Sequence, residues 1–547
     1  MLLKSILINI RRVKLVVCDA LLAVLVVLLT VCHLMDRSAS SEVYIFFVWS
    51  MVAVYLFSRI ILTVAPKVTC HALLASIAIF SLKESYIGLM QLFGHLHSNH
   101  YMYACTGSFN NPGPYGGFLA VCISVLGAYA IKGRNKVIRY ITGTTSLIAL
   151  ILLPSTMSRT AMLAVGCSAI LLAVSTDTGK RFLKKYRIWL ILAAALAVTG
   201  AYMLKKPSAD GRLFMNRISM MAIKGNGIRG AGLGRFGASY GETQARYFGE
   251  RMTAGGDYTD CTVLKDSQRL TADCPEYAFN EYMQLGVEGG VIAMLLFIFL
   301  IIKAITVSYK RGDVWCYGLL ALALFSMFSY PFHIVHFQVL LPVLLAACST
   351  SRSEGKLGDS ILIVVAFLIS SLILISSIPW IIRLKDSSEK WKKREYWYNM
   401  KYYYYVVEDA DTLYGSMRHD YRFLFAYGQS LSKEGQYIKS NEILSEGSHI
   451  SSDPMFWIIM GNNNLSLERY EEAERCYIHA FHMVPNRLYP LCRLAELYIK
   501  IDDYDHFYDM KQKIERFKSK VESPTTDMLR KRITELSDSI ISINEER

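Results

Sequence analysis

The sequence predicts an all-α protein, a polytopic membrane helix bundle of about eleven transmembrane helices followed by an array of helical repeats. Three observations predict it. Apolar residues make up 53% of the chain and fall into runs, and runs of roughly 18 or more are the length that crosses a hydrocarbon core. Basic residues collect between alternate runs. Beyond Trp380 the composition turns polar, aromatic and charged, with no further apolar run.

The runs lie at about 13–33, 42–65, 69–94, 113–131, 138–154, 160–175, 187–203, 281–302, 314–330, 334–348 and 359–381. The first is full length and lacks a small-residue cleavage site, so it is expected to be a retained helix. With the N-terminus inside, nineteen Lys and Arg fall in cytoplasmic segments. They include Lys4, Arg11, Arg12, Lys67, Lys132, Arg134, Arg311 and Arg352. The short outer loops hold only Arg37 and Arg159. The positive-inside rule then sets the orientation. An odd number of crossings leaves the C-terminus outside, together with the long segment 204–280. The expected division is a membrane domain, 1–383, and an outer domain, 384–547.

The formal net charge of +14 would suggest nucleic acid for a soluble chain. Here the cations read as anchors of cytoplasmic loops beside membrane lipids, and no nucleic-acid partner is expected. The twelve cysteines show neither CxxC pairs nor His–Cys spacing for zinc, so no metal or other cofactor is expected. Cys261 and Cys274 share the outer segment, where they form either a short disulfide loop or two free thiols.

In the C-terminal part, Trp457, Gly461, Tyr470, Ala473, Tyr477, Ala480 and Pro485 follow the tetratricopeptide pattern. Tyr437 and Tyr504 stand 33 and 34 residues either side of Tyr470. The tyrosines of 396–405 form an interfacial belt or an irregular first repeat.

Three outer segments hold the informative chemistry. Gly107–Gly117, which contains Asn110 and Asn111, has too much glycine and proline for a simple helix start and forces a shaped turn. The segment from Ser208 carries Arg212, Arg217, Arg229 and Arg235 with a glycine-rich stretch at 230–237. Gly230-Ala-Gly-Leu-Gly234 follows no soluble strand, which excludes a dinucleotide fingerprint. The third segment brings Asn280, Glu281, Gln284 and Glu288 close to the bilayer, where polar groups are costly. Arg159, at the head of the sixth run, belongs to the same surface unless it snorkels to the headgroups. Lys83 and Glu84 lie inside the third run, about 100° apart on a helix, and each is expected to find a different partner or a water-filled groove.

Together these three segments resemble the O-antigen ligase and polymerase superfamily of membrane glycosyltransferases, which includes bacterial protein O-oligosaccharyltransferases. The resemblance covers about 100–300, and the repeat tail fits a tailed branch of the superfamily. It implies a glycosyltransferase C-like membrane fold in the bacterial inner membrane. It further implies transfer of a glycan from an undecaprenyl-diphosphate carrier to a hydroxyl of lipid A-core, a polysaccharide or protein Ser/Thr, at the periplasmic face. Neither nucleotide sugar nor obligatory metal enters. Arg159, Arg212 and Arg217 would hold the donor diphosphate, since a guanidinium fork matches phosphate oxygens. Glu281 would serve the acceptor, with Asn110, Asn111 and Asn280 lining that side. Many members carry His before the Asn of the third segment, whereas this chain has Phe279. The base is then Glu281, an outer histidine such as His97 or His333, or no strong base at all.

Two other readings compete. A lipid-linked glycan transporter fits poorly with the few intramembrane charges and the lack of repeated halves. A non-catalytic anchor displaying a docking domain explains the tail, whose concave repeats would bind a protein partner, but not the arginine- and glycine-rich segment. The charge distribution makes the topology testable: a phosphatase fused after residue 400 should be active and a cytoplasmic reporter there silent. The reverse pattern would invert every outer assignment.

Overall fold

The computed structural model describes residues 13–545 apart from 37, 205 and 352–354. Lys4, Arg11, Arg12, Arg37 and Arg352, used above to orient the chain, lie outside the described residues. Among the described residues all regular structure is helical. The first helices are α1 (Val17–Asp36), α2 (Ala39–Val64), α3 (Pro66–Leu92), α4 (Pro112–Lys132), α5 (Lys136–Leu152), α6 (Arg159–Val174) and α7 (Asp177–Leu204). Next come α8 (Lys206–Asn226), α9 (Phe236–Ala254), the single turn α10 (Asp266–Arg269), α11 (Glu281–Arg311), α12 (Trp315–Ser326), α13 (Val335–Ser349) and α14 (Leu357–Ser376). The chain continues as α15 (Ile378–Asn399), α16 (Tyr403–Met417), α17 (Tyr421–Lys433), α18 (Tyr437–Ser448), α19 (Met455–Ser466) and α20 (Tyr470–Met483). It closes with α21 (Tyr489–Lys500), α22 (Tyr504–Arg516) and α23 (Pro524–Glu545).

Seven helices, α1 to α5, α11 and α14, are long and apolar enough to cross a membrane, and the protein is membrane-embedded. Eleven full-length spans are not what the described residues form. The runs 160–175 and 187–203 fall in α6 and α7, which bend by 114° at a short break and together make one further candidate. The runs 314–330 and 334–348 yield α12 and α13, only 12 and 15 residues long. The run 314–330 overshoots α12, which ends at Ser326, and a separate 3-10 turn opened by Pro331 stands between the two helices.

The chain divides into two compact units. One comprises the described residues up to Cys32, then Ile45–Lys206 and Ala278–Ser377; the other comprises His33–Tyr44, Pro207–Tyr277 and the residues from Ile378 onward.

In the first unit α4 is central: 78% of its span is buried, against 17–39% for the other single-helix candidates. Asn111 caps it by accepting from Gly113 N at 2.9 Å, and Pro112 follows at the first helical position. The sequence reading overlooked a charged pair between α1 and α2. Arg59, 1% exposed, donates to both oxygens of Asp19 at 3.1 and 2.9 Å and to Lys14 O at 2.9 Å. Tyr55 Oη donates to Asp19 at 2.6 Å. Each polar atom finds a partner, as apolar surroundings demand.

In the second unit the helices from α17 to α22 pack in three successive pairs, and Tyr437, Tyr470 and Tyr504 each open the second helix of a pair. The segment read from sequence as an outer loop of the membrane domain groups here. Gln244 of α9 donates to Met483 O at 2.6 Å, and Asn486 donates to Arg269 O and Ala272 O at 2.9 and 2.8 Å. Within one pair, a methyl at Gly461 would lie 2.5 Å from the Tyr477 ring, so α19 and α20 depend on that missing Cβ. Gly461→Val should destabilise these helices by about 1–3 kcal/mol, read as a lower midpoint in thermal unfolding; an unchanged midpoint would refute this packing account.

Candidate active site

The shaped turn before α4 is built by two side chains of α3. Gln91 Oε1 accepts from Thr106 N and Gly107 N at 2.9 and 2.8 Å, while its Nε2 donates to Gly107 O at 2.9 Å. About two turns away, Glu84 accepts from Ser108 N at 2.9 Å and Ser108 Oγ at 2.8 Å. Gly107 has φ +57°, and a Cβ there would stand 2.5 Å from the Tyr115 ring, so only glycine fits. Tyr115 Oη in turn donates to Glu84 O at 2.9 Å. The expectation that Lys83 and Glu84 have separate partners is corrected, because Lys83 Nζ lies 3.3 Å from Glu84 Oε1. The long lysine stem reaches around the helix despite the 100° offset.

This turn carries Asn110, exposed, and Asn111, whose Oδ1 is spent on the cap of α4. It also aims the Phe109 ring at His336, with centroids 4.6 Å apart. Behind it, a methyl at Gly116 would meet Ser158 Cβ and Thr156 Oγ1 at 2.7 Å. The first turn of α4 therefore presses on the turn that leads into α6, whose first residue is the half-buried Arg159.

The head of α11 supplies the carboxylates. Asn280 Oδ1 caps it, accepting from Tyr282 N and Met283 N at 3.1 and 3.2 Å. Glu281, Gln284 and Glu288 are each at most 5% exposed. At Gly290 the backbone takes φ +84° and breaks the helix, a conformation open to glycine, so the head forms its own short segment. Glu281 Oε1 accepts from Phe332 N at 2.6 Å and lies 3.6 Å from His333 Nδ1. Ala278 N donates to Gln284 Oε1 at 3.1 Å, which fixes the amide orientation. Gln284 Nε2 then donates to Glu288 Oε1 at 3.2 Å and to His333 Nε2 at 3.0 Å. A neutral His333 consequently carries its proton on Nδ1, the nitrogen facing Glu281. Phe279, with φ +48°, sets its ring edge-on to Tyr330 at 5.1 Å.

The first unit thus brings together the 107–117 turn, the head of α11 and the 330–337 turn, with Arg159 beside the first. Sequence reasoning reached His333 only as one of two outer histidines. It did not reach Gln91, whose single amide in an apolar run was the available signal.

The remaining predicted residues belong to the second unit. Arg212 and Arg217 both lie on α8, Arg212 half-buried and Arg217 exposed with its guanidinium 5.5 Å from the Tyr247 ring centroid. Cys261 and Cys274 are free thiols. Arg487 Nη2 donates to Cys274 Sγ at 3.2 Å, and burial pushes that thiol up to about 11, so it is protonated at neutral pH. Among the described residues no group of three His, Cys, Asp or Glu side chains could hold a metal ion.

No family model matches the chain, and no curated protein matches it in sequence.

The turn's dependence on one carboxylate gives a direct measurement. Glu84→Ala removes two charge-assisted bonds to Ser108 and should lower stability by about 1.5–3 kcal/mol. Thermal unfolding in detergent reads the change, and wild-type behaviour would show that Gln91 alone holds the turn.

Proposed function

We propose that this protein is a membrane glycosyltransferase of the O-antigen ligase or oligosaccharyltransferase type. It transfers a glycan from an undecaprenyl-diphosphate donor to an acceptor hydroxyl at the periplasmic face of the bacterial inner membrane. The observation that carries the reading is the cluster of buried Glu281 and Gln284 with half-buried His333 at the head of a membrane helix. A desolvated carboxylate aligned by an imidazole is suited to accept a hydroxyl proton. In this reading His333 supplies the imidazole that position 279 lacks.

The acceptor oxygen attacks the anomeric carbon of the glycan. The bond from that carbon to the diphosphate oxygen breaks, and the diphosphate leaves with the electron pair. The acceptor proton passes to Glu281, which Phe332 N–H holds in place, with His333 Nδ1 3.6 Å away. Arg159, Arg212 and Arg217 take the donor-phosphate role that the resemblance implies, countering the charge that grows on the leaving group. Orientation follows the basic residues, with the N-terminus cytoplasmic and the region after Ile378 periplasmic. Counted as one crossing each, α6, α7, α12 and α13 bring the seven long apolar helices to eleven crossings. The helix pairs from α17 to α22 are of tetratricopeptide type and favour a protein partner or acceptor.

Complementation of a deletion strain tests the reading. Glu281→Gln keeps size and most hydrogen bonding and should slow glycan transfer about 100-fold or more. Arg159→Ala and Arg212→Ala should nearly abolish transfer while the protein still accumulates in the membrane. Arg212→Lys should rescue only part, since a point charge cannot replace a fork. Lipid-linked glycan should build up in each strain. Normal transfer by Glu281→Gln would remove Glu281 as the base.

A further inference from the structure

The end of the first unit that carries Lys67, Lys132 and Arg311 holds a cavity of about 740 Å³, within the size range of ligand sites. Its wall includes Lys67, Lys132, Arg134 and Arg311 against the single carboxylate of Asp313, with Trp315 among the apolar residues. Clustered cations at helix ends normally complement the negative C-terminal dipole, and this accounts for part of the set. Arg311 closes α11, donating through Nη2 to Ala347 O and Cys348 O at 2.8 and 3.1 Å and pairing through Nε with Asp313. Lys132 closes α4 and donates to Tyr317 Oη at 3.2 Å.

Three features exceed that structural need. Lys67 stands in the first turn of α3, at the positive end of its helix, so it adds to the dipole there instead of cancelling it. Among the described residues neither Lys67 nor Arg134 has a hydrogen bond or ion pair. Arg311 Nη1 is buried with no hydrogen-bond partner, a donor that ordinarily costs free energy unless something accepts from it. Arg311 also borders a second, mainly apolar cavity of about 510 Å³, where Leu15, Val16, Val17 and Val307 line the wall together with Lys14 and Lys303.

We infer that this end of the bundle binds a phosphate-bearing anion, the headgroup of an anionic membrane lipid, with Lys67, Lys132, Arg134 and Arg311 around the phosphate. Basic pockets between membrane helices take such headgroups. Arg311 keeps one nitrogen, Nη1, without an acceptor, and a phosphate oxygen is the acceptor that matches it. The adjoining apolar cavity accommodates acyl chain, which a soluble phosphate would not use. On the orientation proposed above this is the cytoplasmic end, and the site does not depend on the transferase reading.

The test uses full-length protein, delipidated in detergent, with phosphatidylglycerol and phosphatidylcholine followed by native mass spectrometry and inorganic diphosphate followed by calorimetry. The double variant Lys67→Gln, Arg134→Gln changes two unpaired surface cations and should fold normally, which the thermal midpoint checks. Phosphatidylglycerol should bind the wild type and lose at least tenfold in affinity in the double variant, while phosphatidylcholine shows no such difference. Arg311→Lys should weaken phosphatidylglycerol binding severalfold. A tenfold loss seen only with diphosphate would support the phosphate site and assign it a soluble source. Equal binding of phosphatidylglycerol and of diphosphate by wild type and double variant would overturn the proposal.

Discussion

Hydrocarbon offers no water to a buried polar group, so irregular backbone at membrane depth survives only where protein satisfies it. Glu84 and Gln91 of α3 meet that demand for the turn before α4. They accept three backbone N–H groups and one hydroxyl, and Gln91 returns a donor to Gly107 O. The side of the candidate site next to α4 hangs from this tether. It sets where α4 begins, where Phe109 meets His336, and how closely Gly116 lies against the turn that leads to Arg159. Glycine and proline make the turn possible; the two α3 side chains make it a single shape.

The same demand explains the charges within the helices. Asp19, Arg59 and Tyr55 form a closed set in which no acceptor of Asp19 goes unused. Such a pair gives little net stability over an apolar replacement, yet losing one partner would strand a charge. Its place in the fold is therefore one of specificity, fastening α1 to α2 in one register. The head of α11 follows another logic. Glu281, Gln284 and Glu288 are buried together, and Gln284 spends its donors on Glu288 and His333. Gln284 thus links Glu288 to His333, and a buried cluster of this kind is costly for a fold to keep.

Sequence patterns determined the helical class, the membrane character, the approximate starts of α4 and α11, and the repeating tyrosine that opens α18, α20 and α22. These are local or periodic properties, since run length measures a hydrocarbon core. The polar identity of Asn280, Glu281, Gln284 and Glu288 was legible for the same reason, since an apolar run makes any polar residue conspicuous.

Only the tertiary structure decided which residues 24 or 52 positions apart share a contact, as Glu84 does with Ser108 and Glu281 with His333. It also decided that residues 207–277 group with the C-terminal helices and that Cys261 and Cys274 stay free. It showed four apolar runs to be short or bent in place of full spans. Composition cannot report these, because hydropathy measures the cost of a segment in lipid without naming its neighbours, and hydrogen bonds between distant residues leave no period to read.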